Sequence, residues 1–295
     1  MTGDGWGDMA NRALVLGGGG SAGVSWEIGV LTGLAAAGVD LSTADTVIGT
    51  CAGAMVGAQL TSGLLSIEEM YEHHLAGGPL DREVQPKRRV IFRNRIVALR
   101  IATVDTLRYG TDKPINAIVG RIALESRTPT EAEIRAVVAR RLVCHDWPER
   151  RLLLTAVDAA TGEFTTFDDS SGVGIVDAVT ASSAVPGVCP PVTIQGRRWI
   201  HGDARSKTNA DLAAGHDRVV ILAPGIRDRG TWPTDRTHVA RLRMAGARVA
   251  LLTPDRATRR DFGRKRDPDR RTRATRAGRA QAAVHAEAVA RLWSV

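Results

Sequence analysis

The patterned part of the chain opens with an apolar run, Arg12-Ala13-Leu14-Val15-Leu16, that breaks at Gly17-Gly18-Gly19-Gly20-Ser21-Ala22-Gly23. Beyond the glycines, Trp26, Ile28, Val30, Leu31 and Leu34 recur at helical spacing up to Gly38, so the pattern predicts strand, glycine loop, helix. Thr46-Val47-Ile48 predicts a second strand and Gly49-Thr50-Cys51-Ala52-Gly53 a sharp turn, with a helix running on to about Ser62. Ser66 and Glu69 have capping-box spacing at the head of a further helix,. A β-α-β-α unit of this kind implies parallel strands with a right-handed crossover.

Residues 77–129 are basic and weakly patterned, with helix predicted over 96–101 and 115–124, and read as a cap or lid insertion. Strands resume at 151–157 and 164–167, linked by a turn at 160–162. A helix over 174–182 leads into the proline-rich loop Val185-Pro186-Gly187-Val188-Cys189-Pro190-Pro191. Two short strands at 192–194 and 198–200 precede the loop His201-Gly202-Asp203-Ala204-Arg205-Ser206, and Asn209 is placed to cap a short helix through Ala214,. Strands at 218–223 and 249–252 complete the pattern. Alternating strands and helices predict one three-layer α/β domain over 12–255, after an N-terminal extension over 1–11 and before a C-terminal tail over 256–295.

Composition changes this picture at one place. The chain of 295 residues carries a net charge of +8, and eleven Lys/Arg against three Asp between Arg256 and Arg279 supply a net +8 by themselves. A basic segment on a neutral body has the form of an interaction tail for anionic lipid or nucleic acid, or of a solvated tail. Phe262 is its single aromatic residue, so base stacking and specific nucleic-acid binding are not expected. The expected contact is peripheral, between residues 256–279 and an anionic membrane. A weaker basic cluster lies at Lys87-Arg88-Arg89, Arg93, Arg95 and Arg100. Gly29 to Val39 is too short to cross a bilayer, and Met1-Thr2-Gly3-Asp4 lacks the start of a signal peptide,. The expected location is cytoplasmic or at the membrane periphery. Cys51, Cys144 and Cys189 are odd in number and far apart, which predicts free thiols rather than a disulfide framework.

The candidate chemistry begins at Cys51. A Gly-x-Cys-x-Gly pentapeptide between a strand and a helix presents one side chain at the positive end of a helix dipole, as in a nucleophile elbow with Gly49 and Gly53 as its small flanks. A buried cysteine in a Gly/Ala-rich packing turn is the simpler reading of the same residues.

The glycine loop, the Cys51 turn, Ala181-Ser182-Ser183-Ala184-Val185-Pro186 and the loop after Trp199-Ile200 together resemble the patatin-like phospholipase family over about residues 12–225. The resemblance implies a patatin-like three-layer sandwich with a mostly parallel sheet, and a lipid or acyl-ester substrate hydrolysed without a cofactor or metal. It also implies an oxyanion hole from the loop containing Gly18, Gly19, Gly20 and Gly23. Two departures stand out. The family uses a Ser-Asp dyad, whereas this chain has Cys51 at the serine position and His201 at the aspartate position. An imidazolium favours a thiolate where a carboxylate would oppose it, so the pair is chemically coherent, with Asp203 as support for His201. The alternative is a catalytically inactive lipid-binding or membrane-surface protein. His73 and His74 are adjacent and lack metal-ligand spacing,.

Overall fold

A computed structural model describes residues 11–76, 88–109, 115–225, 234–262, 267 and 269–294. Strand β1 (Arg12–Leu16) leads to helix α1 (Gly20–Ala36), β2 (Thr46–Gly49), α2 (Ala52–Thr61) and α3 (Ile67–Ala76). Then come α4 (Arg88–Tyr109), α5 (Ile115–Glu125), α6 (Glu131–Arg141), β3 (Arg151–Asp158), β4 (Phe164–Phe167) and α7 (Ile175–Ser182). The chain ends with β5 (Val192–Ile194), β6 (Arg197–His201), β7 (Arg218–Leu222), α8 (Asp235–Met244), β8 (Arg248–Leu252), α9 (Arg256–Asp261) and α10 (Arg270–Trp293). The N-terminal extension up to residue 10 and residues 77–87 and 110–114 of the expected insertion lie outside the described residues.

The sheet runs β5-β6-β3-β2-β1-β7-β8, with β4 also paired to β3. Strands β3, β2, β1, β7 and β8 are mutually parallel, while β4 and β6 run antiparallel to β3 and β5 antiparallel to β6. Alternation along β1 sorts its side chains to two cores. Leu14 and Leu16 join a core with α1, α2, α3, α7 and α10, whereas Ala13 and Val15 face Val239 and Leu242 of α8. The result is the expected three-layer α/β architecture.

The connection from β1 through α1 goes to β2 on one side, and the chain later returns to β7 on the other. The carboxyl end of β1 is therefore a topological switch point, where open α/β sheets have room for a ligand. The glycine loop and the Cys51 turn both open there, and the Gly17 N–H donates to the Leu222 carbonyl at 2.9 Å.

The basic C-terminal segment is part of this body, which corrects the expectation of an appended tail. Helix α10 lies along α1 with backbones almost touching: a Cβ on Gly29 would fall 2.1 Å from the Thr275 carbonyl oxygen. Several of its arginines are engaged internally, Arg273 with Asp267, Arg279 with Glu68 at 2.8 Å and Arg270 with the Phe262 carbonyl at 2.8 Å. Arg256, Arg259, Arg260 and Arg276 remain exposed. No helix among the described residues is long and apolar enough to cross a membrane.

Candidate active site

Cys51 is the junction of β2 and α2, with φ 55° and ψ −104°. A side chain in the left-handed half of φ/ψ space is strained by about 1–3 kcal/mol and persists only where its surroundings fix it. They do so here by close approach. A Cβ on Gly53 would fall 2.1 Å from the Leu16 carbonyl oxygen, and one on Gly49 would fall 2.7 Å from the Gly53 carbonyl oxygen. Ser182 Oγ accepts from the Cys51 N–H at 3.1 Å, and Ser183 Oγ donates to the Cys51 carbonyl at 3.4 Å.

The glycine loop departs in part from its expected role. The Gly18 N–H donates to the Lys207 carbonyl at 2.8 Å and the Gly23 N–H to Gly19 at 3.1 Å, so neither is a free donor. Gly19 precedes the first residue of α1, and Gly20 begins it at φ 61°. The backbone N–H groups that reach Cys51 sulfur are those of Gly20 and Ala52.

His201 ends β6 and Asp203 sits two residues on, in a short 3₁₀ turn. Both are buried, and together with Cys51 they offer one thiol, one imidazole nitrogen and one carboxylate oxygen within 4.8 Å of one another. The three candidate residues predicted from far-separated motifs thus meet. His201 Nδ1 lies 3.8 Å from Asp203 Oδ2, too long for a hydrogen bond, and Lys207 Nζ donates to the same Oδ2 at 2.8 Å. Asp203 faces the glycine loop so closely that a Cβ on Gly18 would fall 1.9 Å from its Oδ1.

A buried polar network holds these loops in register. Thr155 Oγ1 donates to Thr50 Oγ1 at 2.9 Å, and Asn209 Nδ2 reaches Thr50 Oγ1 at 3.1 Å and the carbonyls of Ser206 and Gly202 at 3.0 and 3.3 Å. Asn209 stands at the N-cap of the short turn Ala210–Ala213 as expected, but it is left-handed (φ 49°) and its side chain makes no cap hydrogen bond, serving this network instead. Ser182, Lys207, Thr50 and Thr155 were not assigned roles from the sequence. Thr50 and Ser182 lie inside motifs named from the sequence, whereas Lys207 and Thr155 carried no signal there.

Electrostatics also corrects the expected imidazolium–thiolate pair. Burial, followed by the charge of Asp203, pushes the Cys51 thiol far above its ordinary value, against the weaker pull of Lys207 and the Gly20 and Ala52 N–H groups. Burial likewise pushes His201 below its ordinary value, although Asp203 opposes this. At rest the pair is thiol and neutral imidazole. Burial opposes the charge of Lys207, but its acidic neighbours, Asp203 foremost and then Cys51 and Asp235, together outweigh it and hold the ammonium protonated.

Beneath the loop, the wholly buried Glu27 of α1 is pushed well above the usual carboxyl range by burial. An unfolded Glu27 ionises above about pH 4.3, while the folded one keeps its proton. Each pH unit above about 4.3 over which the folded carboxyl stays protonated therefore costs the fold about 1.4 kcal/mol. Glu27→Gln removes that cost, and its Tm is expected to exceed the wild-type value at pH 7 and to lose the advantage at pH 4. A difference independent of pH would show that the carboxyl is ionised in the fold.

The patatin-like phospholipase family model matches residues 14–214. Among solved structures, VipD from Legionella pneumophila is similar at 16% identity and a TM-score of 0.46, over 95% of this chain and 67% of that one. The type III effector ExoU is similar at 15% identity and a TM-score of 0.44, over 95% of this chain and 53% of that one. ExoU is also matched in its complex with SpcU from Pseudomonas aeruginosa, at 14% identity, a TM-score of 0.42 and 96% and 53% coverage. This chain thus spans about half the length of ExoU. No curated protein matches the chain. With its matched segment covering more than half of the 295 residues, the protein belongs to the patatin-like phospholipase family.

Proposed function

We propose that the protein hydrolyses carboxylic esters of lipids, with Cys51 as nucleophile, His201 as general base and Asp203 as the group that positions His201. The observation that carries this reading is the meeting of thiol, imidazole and carboxylate within 4.8 Å at the head of α2. His201 takes the thiol proton as sulfur adds to the ester carbonyl, so a neutral pair can react without a resting thiolate. The oxyanion forms beside the Gly20 and Ala52 N–H groups,. His201 returns the proton to the departing alkoxide, leaving a thioester on Cys51. It then takes a proton from water, whose oxygen attacks the thioester, and returns that proton to sulfur as the carboxylic acid leaves. No step uses a metal or cofactor.

A second reading, a catalytically silent lipid-binding protein, is favoured by one observation. The Asp203 carboxylate lies against Gly18, close to where the oxyanion would develop, and negative charge there opposes acyl transfer. Intact-mass analysis after exposure to short p-nitrophenyl esters and acyl thioesters separates the readings. A mass increase equal to one acyl group in the wild type, absent from Cys51→Ala, is expected. If the wild type takes up no acyl group but Cys51→Ser/His201→Asp turns over the same esters, the pocket is intact and the second reading holds.

Contact with anionic lipid belongs to the same proposal. Arg256, Arg259, Arg260 and Arg276 are exposed at the C-terminal edge, and α4 exposes Phe92, Ile96 and Leu99 among Arg93, Arg95 and Arg100. Apolar side chains among arginines suit an anionic lipid interface.

A further inference from the structure

We infer that Cys51, His201 and Asp203 form a zinc site whose occupancy silences Cys51. From the sequence these residues read as a catalytic set without metal-ligand spacing, because Cys51 lies far along the chain from the His201–Asp203 pair. The donor set is thiolate, imidazole and carboxylate, which suits zinc and not the hard cations magnesium or calcium. Around a tetrahedral zinc ion these atoms lie about 3.3–3.8 Å apart. The three ligand atoms already lie within 4.8 Å of one another, so small side-chain rotations close the set.

Two independent features point to a missing partner. His201 Nδ1 and Asp203 Oδ1 are buried and have no hydrogen-bond partner, and their residues are only 9% and 7% exposed. Buried polar atoms are otherwise almost always satisfied. The surroundings also orient the ligands as zinc sites require. Lys207 holds Asp203 by Oδ2 and leaves Oδ1 free, while the Gly20 and Ala52 N–H groups point at the sulfur. Three protein ligands leave one coordination position for water.

Binding displaces one proton: the Cys51 S–H bond breaks, the proton goes to bulk water, and a sulfur–zinc bond forms alongside bonds from one imidazole nitrogen of His201 and one carboxylate oxygen of Asp203. The sulfur lone pair needed for attack on an ester is then held by the metal. That regulatory consequence rests on the proposed hydrolase reading, whereas the binding itself does not.

The test is a zinc titration of the full chain, stripped with chelator, against a chromophoric competitor. One equivalent is expected to bind, with affinity at least tenfold lower in each of Cys51→Ser, His201→Ala and Asp203→Asn, each checked for an unchanged far-ultraviolet circular dichroism spectrum. Cobalt in place of zinc is expected to give a thiolate-to-metal charge-transfer band that Cys51→Ser abolishes. No binding, or equal affinity in Cys51→Ser/His201→Ala, would overturn the site. Zinc is also expected to suppress acyl uptake by the wild type. Binding in a protein that takes up no acyl group without zinc would support the site and remove only the hydrolase reading.

Discussion

Cys51→Ala is expected to lower kcat/KM on acyl esters by about 10³-fold or more, the scale seen when a covalent nucleophile is removed. The pH profile should carry the signature of a neutral pair. His201 must be unprotonated to accept the thiol proton, and burial lowers its pKa, so the acid limb of kcat/KM is expected below pH 6.5, the ordinary imidazole value of about 6.5 being shifted down. Because the thiol is pushed up by burial and by Asp203, no rise is expected near pH 8.5, where an ordinary cysteine ionises at about that value. His201→Ala should cost about 10²–10⁴-fold, the usual contribution of a general base. Asp203→Asn should move two readouts in opposite directions. It removes a charge that raises the Cys51 pKa, so alkylation by iodoacetamide speeds up, while loss of the group beside His201 slows turnover. Equal turnover by the wild type and Cys51→Ala on every ester tried would remove the acyl-hydrolase reading and leave the fold assignment standing.

The sheet was legible because strand signals are local. Apolar runs such as Leu14-Val15-Leu16 and Val219-Val220-Ile221 are buried on both faces, as parallel strands require,. The eight strands among the described residues all fall where the pattern put them. The three candidate side chains were also legible, because their loops carry motifs in family order. Their charge state was not. Sequence shows that a histidine meets a cysteine, but the balance between burial and Asp203 depends on packing. The free donors were equally hidden, since it is the folding of the distant Lys207 loop against Gly18 that occupies the Gly18 N–H. Helices α6 and α8 went unread, although Thr130 and Glu133 form a capping box at the head of α6. Helix α10 was misread for a different reason. Its buried stripe is built largely from Ala274, Thr275, Gly278, Gln281 and Ala282, small or polar residues that give little hydrophobic signal between arginines. The matching small residue on α1, Gly29, is the partner that turns this stripe into an interface.

Deleting residues 270–295 is expected to leave a chain that does not fold, where removal of a solvated tail would leave Tm unchanged. Val289, Leu292 and Trp293 are buried in the main core, and side chains of this size contribute about 1.5–3 kcal/mol each on burial. A domain has only about 5–15 kcal/mol of net stability, so the loss of these three alone reaches that margin. Polar partners would be orphaned as well. Trp26 Nε1 donates to Gln281 Oε1 at 3.0 Å, Gln281 Nε2 to the Thr253 carbonyl at 2.7 Å, and Trp293 Nε1 to the Asp40 carbonyl at 3.1 Å. A graded variant keeps the argument testable when the deletion yields no soluble protein. Gly29→Ala forces a methyl against the Thr275 carbonyl, and overpacking of this kind costs about 1–3 kcal/mol, read as a lowered Tm. Lipid contact must then be tested without cutting the chain. Arg256→Glu/Arg259→Glu/Arg260→Glu and Arg93→Glu/Arg95→Glu/Arg100→Glu alter exposed groups, so each is expected to keep the wild-type Tm and to lose cosedimentation with vesicles of phosphatidylglycerol. Undiminished cosedimentation by the protein carrying all six reversals would rule out both surfaces as the lipid contact, and a soluble deletion with the wild-type Tm would show that α10 is dispensable to the core.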